Sequence, residues 1–163
     1  MTIKILITGG TIDDLEYDSP DKAPTSHKSL IPNLLKKTRI TTDYDIEELM
    51  SKDSKFITEE DRKIILKKCK ECKEDKIIIT HGTITMATSA KFIGKEDIKK
   101  TIVLTGSAIP ANKKDSDALS NLNAALTAVQ TLPKGVYIAM NDKIFPWNNV
   151  KKNLETGYFE KEK

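Results

Sequence analysis

The residues of this chain that could do chemistry fall in four short clusters, each directly after an apolar run. Thr8-Gly9-Gly10-Thr11-Ile12 comes first and Thr80-His81-Gly82-Thr83-Ile84-Thr85-Met86 second. Thr105-Gly106-Ser107-Ala108 and Asn141-Asp142 follow. Glycines and small hydroxyl side chains suit a small polar substrate, which would meet backbone N–H groups and Oγ atoms there. The first cluster alone could open a dinucleotide fold. It lacks the third glycine of GxGxxG, however, and no acidic residue ends a second strand about 20 residues on. Cys69 and Cys72 form a lone CxxC late in a helical pattern, whereas redox pairs sit at a helix start, where the thiol pKa falls. Tetrahedral zinc would need further ligands nearby. The cysteines are therefore expected as buried structural side chains, and no metal or other cofactor is expected.

These clusters need rigid elements behind them. Ile3–Thr8, Lys76–Thr80, Thr101–Thr105 and Gly135–Met140 are rich in Ile and Val and apolar without alternation, as strands covered on both faces are. Helical spacing covers Glu59–Lys73, with Thr58 as cap and Glu59, Glu60 and Asp61 favourable to the helix dipole. Two more helices are predicted over Thr85–Ile93 and Asp117–Leu132, the second ending before Pro133. A further helix falls over Leu30–Lys37, and further strands near Arg39–Thr42 and Asp45–Met50. Strands alternating with helices imply an α/β fold: a doubly wound, mostly parallel sheet in a Rossmann-like three-layer sandwich. Ligands then bind beyond the carboxyl ends of the strands, where all four clusters lie. Asp13–Ser29, rich in Asp, Pro and Ser, is expected as a mobile loop beside the first turn. Residues 1–160 are expected as one domain and 161–163 as a frayed charged tail.

Bulk composition narrows the function classes. With 163 residues, 38% hydrophobic and 31% charged, the chain is long enough for a sizeable core and too apolar for a disordered segment. Its 27 basic and 24 acidic residues are interleaved and leave only +3, which argues against a nucleic-acid partner. No apolar run approaches the roughly 18–20 residues that span a bilayer. The apolar start Ile3–Ile7 is too short for a signal peptide, so a cytoplasmic location is expected.

Taken together and in order, two of the clusters carry a resemblance. Thr8-Gly9-Gly10-Thr11-Ile12 resembles the first signature of the L-asparaginase family, and Thr80-His81-Gly82-Thr83-Ile84-Thr85-Met86 resembles the second, usually written HGTDTM. Leu104–Pro110, Tyr137–Asp142 and Val150–Asn153 are also similar to the family, so the likeness runs over nearly the whole chain. Long members add a smaller C-terminal domain. Segments such as Lys52-Asp53-Ser54 and Asn121-Leu122-Asn123 look more like the short, single-domain branch.

The resemblance implies hydrolysis of the side-chain amide of L-asparagine through a threonine acyl-enzyme, with Thr11 as nucleophile. It implies Tyr17, on the loop that follows, as the side chain orienting Thr11, and Thr83 with Lys152 as proton-handling groups. Asp53 and Ser54 would grip the α-ammonium and α-carboxylate of the amino-acid substrate, opposite Thr83 and residue 84. Backbone N–H groups of Gly10, Thr11 and Gly82 would face the oxyanion. Ile84 stands where the signature has aspartate, and Phe56 where a polar residue is usual. Isoleucine can neither accept a proton nor neutralise Lys152, so either Asp13, Asp14 or Asp53 substitutes as the carboxylate, or Lys152 swings to solvent, or its pKa falls. The loss implies impaired turnover, or in the alternative a weakened amino-acid-binding pseudoenzyme. His81 is expected to be structural, and His27 a polar loop residue. A homo-oligomer is expected, a dimer in the first instance.

Overall fold

The computed structural model describes residues 1–163. Its frame is one six-stranded sheet: β1 (Thr2–Gly9), β2 (Asp43–Lys52), β3 (Lys76–Thr80), β4 (Thr101–Thr105), β5 (Gly135–Met140) and β6 (Lys143–Pro146). The spatial order is β2-β1-β3-β4-β5-β6, with β1 to β5 mutually parallel and β6 antiparallel at the edge. Four helices cover it: α1 (Ile31–Thr38), α2 (Glu59–Glu71), α3 (Met86–Gly94) and α4 (Ala118–Thr131). The expected doubly wound α/β architecture is the one observed.

The unbroken apolar runs have a simple cause. Ile77 and Ile79 pack on the face covered by α2 and α3, while Ile78 between them packs on the face covered by α1 and α4. Strand side chains alternate between faces, and both faces here are core. On the second face, Ile3, Ile5 and Ile7 join Leu34 and Leu35 of α1 and Leu122, Ala125 and Val129 of α4. The start of α2 is fixed as its sequence suggests. Thr58 Oγ1 accepts from Asp61 N and the Asp61 carboxylate accepts from Thr58 N, a reciprocal capping box.

Several elements differ from expectation. No strand forms over Arg39–Thr42: Arg39 takes a left-handed conformation (φ 56°) that ends α1, and the following segment leads into a single ten-residue β2. β6 arises because Asn141 and Asp142 both have positive φ (56° and 60°), the requirement of a two-residue hairpin turn, which Asn and Asp tolerate best. Beyond it, β7 (Lys151–Lys152) and β8 (Phe159–Glu160) form a small antiparallel arm. Val150 and Phe159 are buried in the α2/α3 core and hold this arm against the domain. The charged end is tied down rather than frayed: Glu162 N and Lys163 N both donate to Asn149 Oδ1, and Glu162 pairs with Lys91.

Candidate active site

The sheet reverses direction of winding between β1 and β3. The chain leaves β1 for β2 on one side and then crosses to β3 on the other. Loops diverge at such a switch point and open a crevice at the carboxyl edge. Gly10 and Thr11 follow β1 there, and His81-Gly82-Thr83 follow β3.

Glycine lets these loops touch backbone to backbone. Gly10 has φ 87°, and a Cβ there would lie 2.4 Å from both Cα and N of Gly82. A Cβ on Gly82 would in turn lie 2.6 Å from Ser54 Cβ. The loops after β1, β2 and β3 are thus interlocked, with Thr85 Oγ1 donating to Ser54 O (2.8 Å) and Thr85 N to Ser54 Oγ (3.3 Å). The Gly10 N–H, expected among the oxyanion donors, instead donates to Lys52 O at 2.8 Å. The N–H groups of Thr11 and Gly82 make no hydrogen bond within the chain.

Thr11 is nearly buried, with 8% of its surface exposed. Its Oγ1 donates to Glu16 Oε1 at 2.7 Å. Sequence reasoning missed Glu16, naming its neighbour Tyr17 as the partner of Thr11. The Tyr17 hydroxyl lies elsewhere, accepting from Asp53 N (3.2 Å), and its ring stacks on Phe56 with centroids 5.2 Å apart. The cause is a local chain reversal. Thr11–Asp13 form a single 3-10 turn, Asp14 follows with φ 58°, and Gly10 O accepts from both Asp13 N and Leu15 N. That reversal returns Glu16 to Thr11 and sends Tyr17 toward the β2 loop. An acidic residue beside the expected tyrosine was the one available signal.

On the other side of the crevice, Lys152 Nζ donates to Thr83 Oγ1 at 2.9 Å. The β7–β8 arm carries the lysine there, and no carboxylate lies within ion-pair distance of it. Desolvation holds its pKa below the ordinary lysine value, while the charge of Glu16 acts in the opposite direction. Ile84, next to Thr83, is 49% exposed and takes no part in the core.

None of the three aspartates proposed as substitutes faces the lysine. Asp13 is fully buried and accepts from Ser29 Oγ and Leu30 N. Asp14 is exposed and accepts from Asn112 Nδ2. Asp53 accepts from Lys55 N and Tyr17 N and pairs with Lys55 Nζ, so its carboxylate organises the tyrosine loop. Ser54 lies at the crevice wall with its hydroxyl oxygen engaged by Thr85 N.

His81 supports the second loop from behind. It is fully buried, with Nδ1 2.7 Å from Gly82 O and Nε2 2.8 Å from Ser89 Oγ. A carbonyl can only accept, so Nδ1 carries the proton and Nε2 accepts from Ser89. The Ser89 oxygen also receives Arg62 Nε–H at 2.9 Å. Burial pushes the imidazole pKa down to about 4, which keeps the ring neutral near pH 7. Cys69 is likewise buried and its thiol is pushed up to about 12 by desolvation, while Cys72 lies half-buried at the end of α2. No group of three His, Cys, Asp or Glu side chains is arranged to hold a metal ion. No helix is long and apolar enough to cross a membrane.

Comparison with known proteins places the family and the fold. Residues 2–158 match the family described as "Asparaginase, N-terminal". The L-asparaginase of Thermococcus kodakarensis is 32% identical over 161 residues, covering 96% of this chain and 49% of that protein. Its solved structure superposes over 99% of this chain with a TM-score of 0.81. A probable cytoplasmic L-asparaginase from Campylobacter jejuni superposes over 98% of this chain and 52% of its own, with a TM-score of 0.81 and 33% identity. The glutaminase-asparaginase of Pseudomonas aeruginosa is 30% identical over 172 residues, covering 97% of this chain and 48% of that protein. The chain thus spans about half the length of the curated relatives it matches.

Proposed function

The chain belongs to the asparaginase family, matching that family's N-terminal domain, and from this membership we propose that it hydrolyses the side-chain amide of L-asparagine to L-aspartate and ammonia. The observation that carries the proposal is the hydroxyl of Thr11, nearly buried at the switch point and hydrogen-bonded to a carboxylate at 2.7 Å. A threonine hydroxyl is a weak nucleophile on its own and is activated by such a partner. Thr11 Oγ1 attacks the amide carbon, ammonia leaves, and water resolves the acyl-enzyme. The unbonded N–H groups of Thr11 and Gly82 are the donors available to the oxyanion.

Thr83 and Lys152 serve as a proton-handling pair, supported by their 2.9 Å bond and by the depressed lysine pKa. A lysine whose pKa is lowered offers more neutral amine near physiological pH than a solvated one. Asp53 and Ser54 form the wall that meets the α-amino and α-carboxylate groups, Asp53 by holding the loop of Tyr17 in place. Ile84 withholds a carboxylate from this set, so turnover falls below that of a site with aspartate at this position.

The decisive measurement is ammonia release from L-asparagine by the purified chain and by Thr11→Ala. Release that Thr11→Ala abolishes is expected. Equal release from the two proteins would sink the proposal, and thermal stabilisation by L-aspartate without turnover would turn it into a binding function. Pairing of two copies belongs to the same proposal. Leu154 and Tyr158 expose large apolar surface on the β7–β8 arm, and a monomeric mass by sedimentation equilibrium would contradict it.

A further inference from the structure

We infer that Glu16 is the working carboxylate of this site: it takes the Thr11 proton, in place of the acidic side chain absent at position 84. The inference rests on the amidohydrolase proposal for its reaction and on independent geometry for its residue.

The geometry is one of contact and elimination. Thr11 Oγ1 donates to Glu16 Oε1 at 2.7 Å, within the range of hydroxyl-to-carboxylate bonds. No other acid reaches this hydroxyl. Asp13 is engaged by Ser29 and Leu30, Asp14 by Asn112, and Asp53 by Tyr17 and Lys55. The Tyr17 hydroxyl is held at Asp53 N. Glu16 is itself exposed, so a proton it accepts can exchange with solvent between turnovers. Across the crevice Lys152 rests on Thr83, and Glu16 is the one side chain whose charge opposes its desolvation. Its neighbour Lys151 pairs with Glu160 on the same arm and faces away from this exchange.

The proton balance follows from one carboxylate working twice. In acylation the Thr11 O–H bond breaks, its proton passes to Glu16, and the oxygen forms a bond to the amide carbon while the carbonyl electron pair moves onto oxygen. Collapse of that intermediate breaks the C–N bond, and the amino group leaves as ammonia with the proton held by Glu16. A water then attacks the ester carbonyl and gives a proton to Glu16. Thr11 departs with that proton, and the acid and the free hydroxyl are both restored.

The test compares kcat and KM for ammonia release from L-asparagine by the wild type, Glu16→Gln, Thr11→Ala, Ile84→Asp and Glu16→Gln/Ile84→Asp. Glu16 and Ile84 are exposed, so these variants should fold. Glu16→Gln is expected to lower kcat by about 10²–10⁴-fold with little change in KM. Ile84→Asp should raise kcat by less than about tenfold in the wild type and by more than that in the Glu16→Gln background. Such non-additivity marks two carboxylates competing for one task. A Glu16→Gln kcat within about threefold of the wild type, or equal gains from Ile84→Asp in both backgrounds, overturns the inference while leaving the amidohydrolase proposal standing.

The opposite failure is separable. If wild type and Thr11→Ala release equal ammonia, the amidohydrolase proposal falls, and Lys152 is read directly by its labelling with an amine-acylating reagent as a function of pH. Glu16→Gln must then lower the pH at which Lys152 becomes reactive. A shifted curve upholds the carboxylate's place in the site for a different substrate, and superimposed curves overturn it.

Discussion

Acidification should destabilise this domain in a window set by one buried ring. His81 is fully buried and its pKa is pushed down to about 4, mainly by desolvation, with Arg62 also acting to lower it. In the unfolded chain a histidine titrates near its ordinary value of about 6.5. Between those two values the unfolded state binds a proton that the folded state refuses, so stability falls as pH falls. The loss begins near pH 6.5, grows toward pH 4 and saturates below. At about 1.4 kcal/mol per pH unit it integrates to about 3 kcal/mol. With a urea m value of about 2 kcal/mol/M, the unfolding midpoint should drop by about 1.5 M between pH 7 and pH 4. Other carboxylates do not imitate this. Asp45, Glu47 and Asp61 are held below their ordinary values by lysine partners, so their contributions are lost only as pH falls below about 4. Asp13, raised by burial, has the opposite sign and partly masks the histidine. The comparison with His81→Gln isolates the ring, because the variant should lose the slope between pH 6.5 and pH 4 whatever its absolute stability. The consequence reaches the site, since protonated Nε2 can no longer accept from Ser89 and the loop carrying Gly82 and Thr83 loses its backing. A His81 imidazole resonance, assigned by its loss in His81→Gln, that titrates near pH 6.5 in the native protein, or an unchanged slope in His81→Gln, would refute this reasoning.

Other perturbations have equally definite outcomes. Gly10→Ala would press a methyl group to 2.4 Å from Gly82 at φ 87°, and should destabilise by about 2–4 kcal/mol, lowering Tm by roughly 5–15 °C in calorimetry. Of the two cysteines, Cys72 should react first with a thiol reagent under native conditions, because Cys69 is buried with its thiol pushed up to about 12. Prior or equal modification of Cys69, read by peptide mapping, would contradict the packing of α2.

How much of this was legible in the sequence depended on how far apart the interacting residues lie along the chain. The central strands were readable because each buries both faces, so Ile77-Ile78-Ile79 leaves no polar position to confuse the pattern. The α2 start was readable because Thr58 and Asp61 form a local box three residues apart. The glycine loops were readable as strand ends, since a close backbone approach leaves a compositional mark at Gly10 and Gly82. The β5–β6 hairpin was missed although Asn141-Asp142 is a turn signal, because Pro146 and Trp147 follow and weaken the strand pattern. Lys152 could be nominated by resemblance alone, since its placement depends on Val150 and Phe159 reaching a core built from distant elements. Glu16 was missed for a conformational reason. In an extended loop its side chain would stand far from Thr11, and only the left-handed Asp14 turns it back. Non-glycine residues in that conformation are uncommon and are not announced by composition.

That same turn gives Asp13 a role distinct from Glu16, and the two can be separated. Asp13 is fully buried at the end of the turn, where one carboxylate oxygen accepts from Leu30 N at 2.7 Å and both accept from Ser29 Oγ. It therefore straps the far end of the 14–30 segment to the base of the segment, and with it the reversal that sets Glu16 on Thr11. A strap needs acceptor atoms and shape, whereas a base needs a titrating charge. Asn in place of Asp13 keeps an acceptor for Leu30 N and removes a buried charge whose pKa burial has already raised. Asp13→Asn should therefore keep kcat within about tenfold of the wild type. Asp13→Ala removes every acceptor and leaves Leu30 N unsatisfied, at a cost of about 1–3 kcal/mol. The alanine variant should be cleaved faster by a nonspecific protease within residues 14–30 and should lose activity with that opening. If Asp13→Asn instead lost activity as severely as Glu16→Gln while its loop stayed resistant to cleavage, the buried aspartate would be the titrating carboxylate. Glu16 would then be only a passive partner of Thr11.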